Sequence, residues 1–512
     1  MKKILCIILL ALCLSSCDFV LGNDTKNPDT PDTPVVPDEY VTINILQMND
    51  IHGHIEQTLD KREGLANASY LINQIRAEDE LDNTVLIGNG DMLQETAISR
   101  VTYGRVVIEA MNEMGFDMIG IGNHEFDWGL DSYLAYFDGN LNNGEANFPL
   151  LNANVYKDGA LVVNDKNVFS SIIVEKDSVK VGLLSYIGDV YSSINANMTL
   201  GYEFKAKPAE IANSVSELGK SLKDNGADIV VVNIHGGDAS SVADYKPNQE
   251  IAKLKYGSSY LVDAVINGHT HTRQDGQISR TGGLAMPVIQ SSGKLADFGR
   301  IDLTYNATKK IVTKAKMSHI DVNQTSKYDS EVQEVVDEYY NANKDVLEEV
   351  YCTNRYYIGA RTENLYHYVS NLMMAATNTT AAICNTGAFR NGVAAGNFDF
   401  DKVYGLSPFD NHLIICEISG ADLAMFYDKN KDFEFVYTNR GSQIATDETY
   451  VVAIIDYVYF GNYFAAYRDG NYVDSNLVLR DLIIEDLRLR KSEGFNIYEA
   501  YDNIKINASM FK

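Results

Sequence analysis

The chain has 512 residues, 45% of them apolar, and a formal net charge of −27. Its length implies about two large domains of roughly 150–250 residues each, and its apolar content is ordinary for a globular protein in water. The acidity is spread along the whole chain, which argues against nucleic acid as a partner, because phosphate backbones need clustered Lys and Arg. A small anion can still bind where metals and a few arginines dominate locally.

In chain order, Lys2 and Lys3 precede an apolar run from Ile4 to Leu14. The run is too short to span a bilayer, which needs about 20 residues, and reads as an export signal. It ends in Leu14-Ser-Ser-Cys, which resembles a bacterial lipobox. On that resemblance residues 1–17 are a lipoprotein signal and Cys17 becomes the lipidated first residue. The protein is then expected in the cell envelope, anchored to a membrane, periplasmic or surface-exposed. Residues 18–40 carry Asp, Asn, Thr and four prolines between Asn27 and Pro37. They hold too little apolar surface to fold and read as a disordered tether. Beyond Cys17, only Cys352, Cys384 and Cys416 remain in the mature chain, too few for a disulfide framework, and free thiols are expected.

From Val41 to about Tyr305, short Val/Ile/Leu runs alternate with helical patterns. Strands are expected at 41–46, 84–88, 118–122, 179–184, 228–233, 264–268 and 287–290. Helices are expected at about 64–79, 104–115, 207–225 and 245–256. Continuous apolar runs alternating with helices indicate buried strands in an α/β layered domain. A polar, tyrosine-bearing helix over about 330–350 reads as a domain linker. The resulting division is 41–325, 326–350 and 351–512. The last part has a helix near 363–377, a turn-rich segment at 385–392, an apolar run from Tyr450 to Phe460 and a charged helix near 474–491.

Five clusters put Asp, Asn and His on loops after such strands. They are Asn49-Asp-Ile-His-Gly, Asn89-Gly-Asp, Gly122-Asn-His-Glu-Phe-Asp, Asn233-Ile-His-Gly and Gly268-His-Thr-His. Singly, each reads as a helix cap or a surface loop. Together, oxygen and imidazole donors in this number suit two hard or borderline divalent metals side by side, an arrangement fitted to displacing an oxygen at phosphorus.

This order of motifs resembles the calcineurin-like metallophosphoesterases. Leu46-Gln-Met-Asn-Asp-Ile-His-Gly with Gly122-Asn-His-Glu-Phe-Asp-Trp-Gly is similar to the 5′-nucleotidases and their UDP-sugar hydrolase and 2′,3′-cyclic-nucleotide phosphodiesterase relatives. The resemblance implies a four-layer α/β/β/α domain, joined by a helix to a smaller α/β substrate-binding domain. It implies that Asp50, His52, Asp91 and His271 hold one metal and Asp91, Asn123, His235 and His269 the other, with Asp91 bridging. The metals would be Zn, Mn, Mg, Co or Ca. A water between two cations becomes the nucleophile by losing a proton. His124 would then stabilise charge on the phosphoryl or leaving oxygens, oriented by Asp127.

In the second part, Asn385-Thr-Gly-Ala-Phe-Arg and Leu406-Ser-Pro-Phe-Asp-Asn carry the resemblance. They imply Arg390 on phosphate, Asn385 near the nucleoside and Phe409 stacked on a base. The family's second stacking turn is degraded here to Tyr459-Phe-Gly-Asn-Tyr, which nominates Tyr463, with Asp469 as the ribose contact. Arg361 lies near a further family arginine, about two residues out of register. Asn67 stands where the family commonly has Arg. The expected function is an exported, monomeric, metal-dependent 5′-nucleotidase that takes a small nucleotide or other phosphoester. The alternatives are the two sister activities and an inactive surface binding lipoprotein.

Overall fold

The computed structural model describes residues 38–56, 64–78 and 82–511. The expected export signal, Cys17 and the expected tether as far as residue 37 lie outside the described residues. The folded body is the compact unit Glu39–Lys512.

Two sheets carry its first half. One has seven strands in the order Ile311–Asp321, Asp297–Asn306, Tyr40–Met48, Thr84–Gly88, Met118–Gly120, Leu150–Leu151 and Val168–Phe169. The other has six, in the order Gln274–Ile278, Met286–Gln290, Ala264–Asn267, Ile229–His235, Val179–Ile187 and Ser171–Lys176. The central strands of each are parallel. Alternate residues of a strand face opposite sides. Ile43, Ile45, Val85 and Ile87 of the first sheet thus meet Val181, Leu183, Val231 and Ile266 of the second in one core. The opposite faces bury Leu46, Met48 and Leu86 under the helices Leu65–Arg76 and Arg105–Met114. Leu184, Val230 and Val232 pack under the helix Pro208–Asp224. Helix, sheet, sheet and helix make the four layers, which is why the strands are continuously apolar rather than alternating.

Local signals set the helix limits. Pro208 opens its helix, with the Lys207 amide donating to Glu210. Gly115 ends the helix Arg105–Met114 at φ 67°, the left-handed cap glycine takes readily. The helix expected over 245–256 is shorter, Lys246–Ile251, because Lys255–Tyr256 pairs with Ser259–Tyr260 as a small hairpin.

The helix Ser330–Leu347 starts at Asp329, which accepts from the Glu331 amide, and packs on the helices Leu65–Arg76, Ala97–Val101 and Arg105–Met114. Beyond it, a five-stranded sheet runs Glu434–Thr438, Ala381–Asn385, Thr449–Ile455, His412–Ser419, Val473–Val478. The helices Glu363–Thr377 and Leu479–Leu489 share its core. Two expectations change here. The apolar run Tyr450–Phe460 divides into the strand Thr449–Ile455 and the helix Asp456–Phe460. The helix near 474–491 begins only at Leu479, because Val473–Val478 pairs with His412–Ser419. The three cysteines of this part are free and buried.

Candidate active site

The predicted ligands lie at the carboxyl ends of the parallel strands, where α/β folds assemble sites. Asp50 and His52 follow Tyr40–Met48, Asp91 follows Thr84–Gly88, Asn123 follows Met118–Gly120, His235 ends Ile229–His235, and His269 and His271 follow Ala264–Asn267. The turns are tight. Asp50, His52, Asp91, His269 and His271 all have positive φ, between 51° and 75°. Non-glycine residues rarely adopt this conformation, which costs free energy, and such residues collect at functional sites.

The seven side chains converge in two groups. His52 Nε2 is 3.0 Å from His271 Nε2, which is 3.3 Å from Asp50 Oδ1. His235 Nε2 is 3.1 Å from Asp91 Oδ2 and 3.2 Å from Asn123 Oδ1, and His269 Nδ1 is 2.9 Å from the same Asn123 oxygen. Asp91 Oδ2 is also 4.0 Å from His52 Nε2, so this carboxylate stands between the groups. The outer nitrogens fix the tautomers. His52 Nδ1 faces the Gln94 carbonyl at 3.0 Å and His235 Nδ1 the Asn89 carbonyl at 3.1 Å. Each Nδ1 must then carry the proton, leaving a bare Nε2 lone pair aimed inward. Buried lone pairs that converge on one another fit a cation between them. The donor types, carboxylate, amide oxygen and imidazole, suit hard or borderline divalent ions.

The electrostatics of the cluster agree. Burial alone would raise Asp91, but His235 and His124 outweigh it and hold its carboxyl well below the usual range. Burial works against a charge on His235, yet Asp91 draws it up to about 9. A cation would take the place of that proton. His52 is pushed down to about 3 by burial and then by the charge of His124, and His269 to about 4 by burial and His235.

His124 sits beside the cluster. Its amide donates to Asp91 Oδ1 at 2.8 Å, and its Nδ1 lies 2.7 Å from Asp127 Oδ2. Burial disfavours its charge, but Asp127 and Asp91 override this and hold the imidazolium up to about 10. Glu125 between them is a residue that sequence reasoning missed. Its carboxylate accepts the amides of Asp91, Met92 and Gly122 at 2.8, 2.9 and 2.6 Å, tying two ligand loops together. Its place within Gly122-Asn-His-Glu was the available signal.

Glu95 was missed as well. It is buried, has φ 137°, and lies 3.5 Å from His52 Nδ1. Burial raises its carboxyl, but His52, Lys294 and Arg390 draw it down to about 2.

A cavity of about 170 Å³ opens from His124 and Asp127 toward the second domain. Asn385, Arg390 and Phe409 line it, as do Asn411, Tyr457 and Asn195, which the motifs did not nominate. The Phe409 ring is stacked 6.0 Å from His124, and the Arg390 guanidinium lies 5.8 Å from the Phe409 ring centre. The structure does not bring the other three candidates here. Tyr463 lines a neighbouring cavity with Tyr191, Phe460 and Arg468, and its ring stacks 6.5 Å from Phe426. Asp469 is exposed and holds Asn471 in its own turn. Arg361 is exposed and is not among the residues lining the cavity.

Comparison with known proteins agrees with this architecture. Residues 43–273 match the family described as calcineurin-like phosphoesterase, and residues 345–431 match the 5′-nucleotidase C-terminal domain. The chain is 25% identical over 434 residues to Endonuclease YhcR of Bacillus subtilis, covering 79% of this chain but 34% of that protein. The match thus spans about a third of that relative's length. It is 22% identical over 428 residues to a 5′-nucleotidase of Vibrio cholerae, covering 75% of each. The solved 5′-nucleotidase precursor of Thermus thermophilus shares the fold, with a TM-score of 0.72 at 18% identity over 89% of this chain and 98% of that one. The chain therefore carries a calcineurin-like phosphoesterase domain followed by a 5′-nucleotidase C-terminal domain.

Proposed function

We propose that this protein is a metal-dependent phosphohydrolase of nucleotides, acting as a 5′-nucleotidase. The observation that carries this reading is a single cavity reaching from the His124–Asp127 pair, beside the ligand cluster, to Arg390 and Phe409 of the second domain. Asp50, His52, Asp91 and His271 would hold one divalent cation and Asp91, Asn123, His235 and His269 a second. Cations held there would supply Lewis acidity toward a phosphoryl oxygen and a water of lowered pKa.

The chain's own groups do the rest. Asp127 holds Nδ1 of His124, which leaves the Nε2 proton for charge building on the leaving oxygen. Arg390 offers a guanidinium fork to the phosphate. Phe409 gives a flat face to a base, and Tyr457 and Asn385 line the same space.

The test is a hydrolysis screen on the purified mature chain with added divalent metal. It compares nucleoside monophosphates, 2′,3′-cyclic nucleotides, UDP-sugars, sugar phosphates and a small aryl phosphate. Release of phosphate fastest from nucleoside monophosphates is expected. No release from any substrate would favour an inactive binding lipoprotein, and a cyclic or UDP-sugar preference one of the sister activities. Within the screen, Phe409→Ala should raise KM for nucleotides far more than for the aryl phosphate, since a stacked base is worth about 1–3 kcal/mol. Equal changes in both would exclude stacking at Phe409.

Export and lipid anchoring at Cys17 complete the proposal. Among the described residues no helix is long and apolar enough to cross a membrane. Cys17→Ala should move the protein out of the membrane fraction, and wild-type protein found wholly in the cytoplasm would overturn this.

A further inference from the structure

Glu95 has no part in the chemistry above, yet its position is costly. Its φ of 137° lies outside the left-handed region of the neighbouring ligands, in a conformation glycine fills freely and side-chain-bearing residues rarely adopt. Its carboxylate is buried, and one oxygen, Oε2, has no hydrogen-bond partner. A strained backbone and an incompletely satisfied buried carboxylate persist only where their surroundings hold them.

Three cationic or ring groups do so. Lys294 Nζ is 2.6 Å from Oε1, on the loop whose Lys294 amide donates to the Asp50 carbonyl at 2.7 Å. His52 Nδ1 is 3.5 Å from Oε2. The third is Arg390 of the second domain, whose Nε is 3.8 Å from Oε1. Arg390, assigned to phosphate in the reading above, therefore already faces a negative charge from the first domain. Lys294 is about one-third exposed and offsets only part of it.

Resting on the phosphohydrolase reading, we propose that Glu95 competes with phosphate for Arg390 and thereby limits retention of the dianionic product. It acts through Arg390, as a positioning residue that tunes anion affinity. In a buried site, charges are screened less than in water, so a doubly charged anion beside Arg390 feels this carboxylate strongly. Release of phosphate lets Arg390 return to Glu95.

The test titrates inorganic phosphate into the full chain with added Mn²⁺ by calorimetry, and measures phosphate inhibition of aryl phosphate hydrolysis and metal content. Glu95→Gln keeps size and strain but removes charge, whereas Glu95→Gly removes both. Both variants should bind phosphate roughly 5- to 20-fold more tightly, as expected for one unit charge removed at this range. Metal content should stay at the wild-type level. In an Arg390→Ala background, Glu95→Gln should change phosphate affinity less than about twofold, since contacts that share a partner are non-additive. Unchanged or weaker binding in Glu95→Gln, an equal gain without Arg390, or loss of metal would each overturn the proposal. Hydrolysis by wild type without any shift in Glu95→Gln removes the Glu95 role alone. The stated shift in a chain that hydrolyses nothing removes the phosphohydrolase reading alone.

Discussion

Asp91→Asn is expected to lose metal and hydrolysis together. Asp91 Oδ2 stands 3.1 Å from His235 Nε2 and 4.0 Å from His52 Nε2, one member of each ligand group. Its other oxygen accepts the His124 amide at 2.8 Å. It is the carboxylate common to both groups, so replacing it removes charge from both cation positions at once while the amide keeps its shape. Removing a carboxylate from a buried cluster of cationic groups leaves their charge uncompensated. Elemental analysis should show metal content well below that of wild type. Phosphate release should fall by more than about 100-fold, beyond the 10–100-fold that loss of an outer supporting contact typically costs. A variant with full occupancy and full rate would refute the shared-ligand assignment.

His124→Ala is expected to do the opposite with metal. His124 is within ligand range of His52 and Asp91, and so could belong to a metal group by distance alone. Its Nδ1, however, is taken by Asp127 at 2.7 Å, and the ring lies on the cavity wall stacked toward Phe409. Asp127 and then Asp91 draw its imidazole up to about 10 against burial. The variant should keep its metal and lose about 10²–10⁴-fold in kcat, the usual cost of a lost general acid. Asp127→Asn should move kcat in the same direction by less. Collapse of metal content in His124→Ala would make His124 a ligand.

Much of the cluster was legible because its information is local. Each motif follows a run such as Thr84–Gly88 or Ile229–His235 whose continuous apolar residues mark a buried parallel strand. Residues at the ends of parallel strands gather at one edge whatever the loop lengths. The second domain was less legible. Asn385, Arg390 and Phe409 reach the cavity, but Tyr463, Asp469 and Arg361 do not line it. In Asp456–Phe460 the period changes from strand to helix, and the alternation that would say which of several aromatic residues faces inward is lost. Tyr457, just past that change, is the one that lines the cavity.

Apolar periodicity and residue chemistry are carried in short segments, so the α/β class, the strands that bear the candidate ligands and the candidate donor set can be read along the chain. Which groups touch follows from the folded arrangement of those segments. That Asn89, Gln94 and the Glu125 carboxylate fix ligand geometry depends on chain crossings far apart in sequence. That Glu95 sits at φ 137° facing Arg390, far later in the chain, depends on a backbone conformation its residue type disfavours and on the seat of the second domain against the first. Propensity and spacing describe what a segment prefers, and these contacts exist where packing overrides that preference.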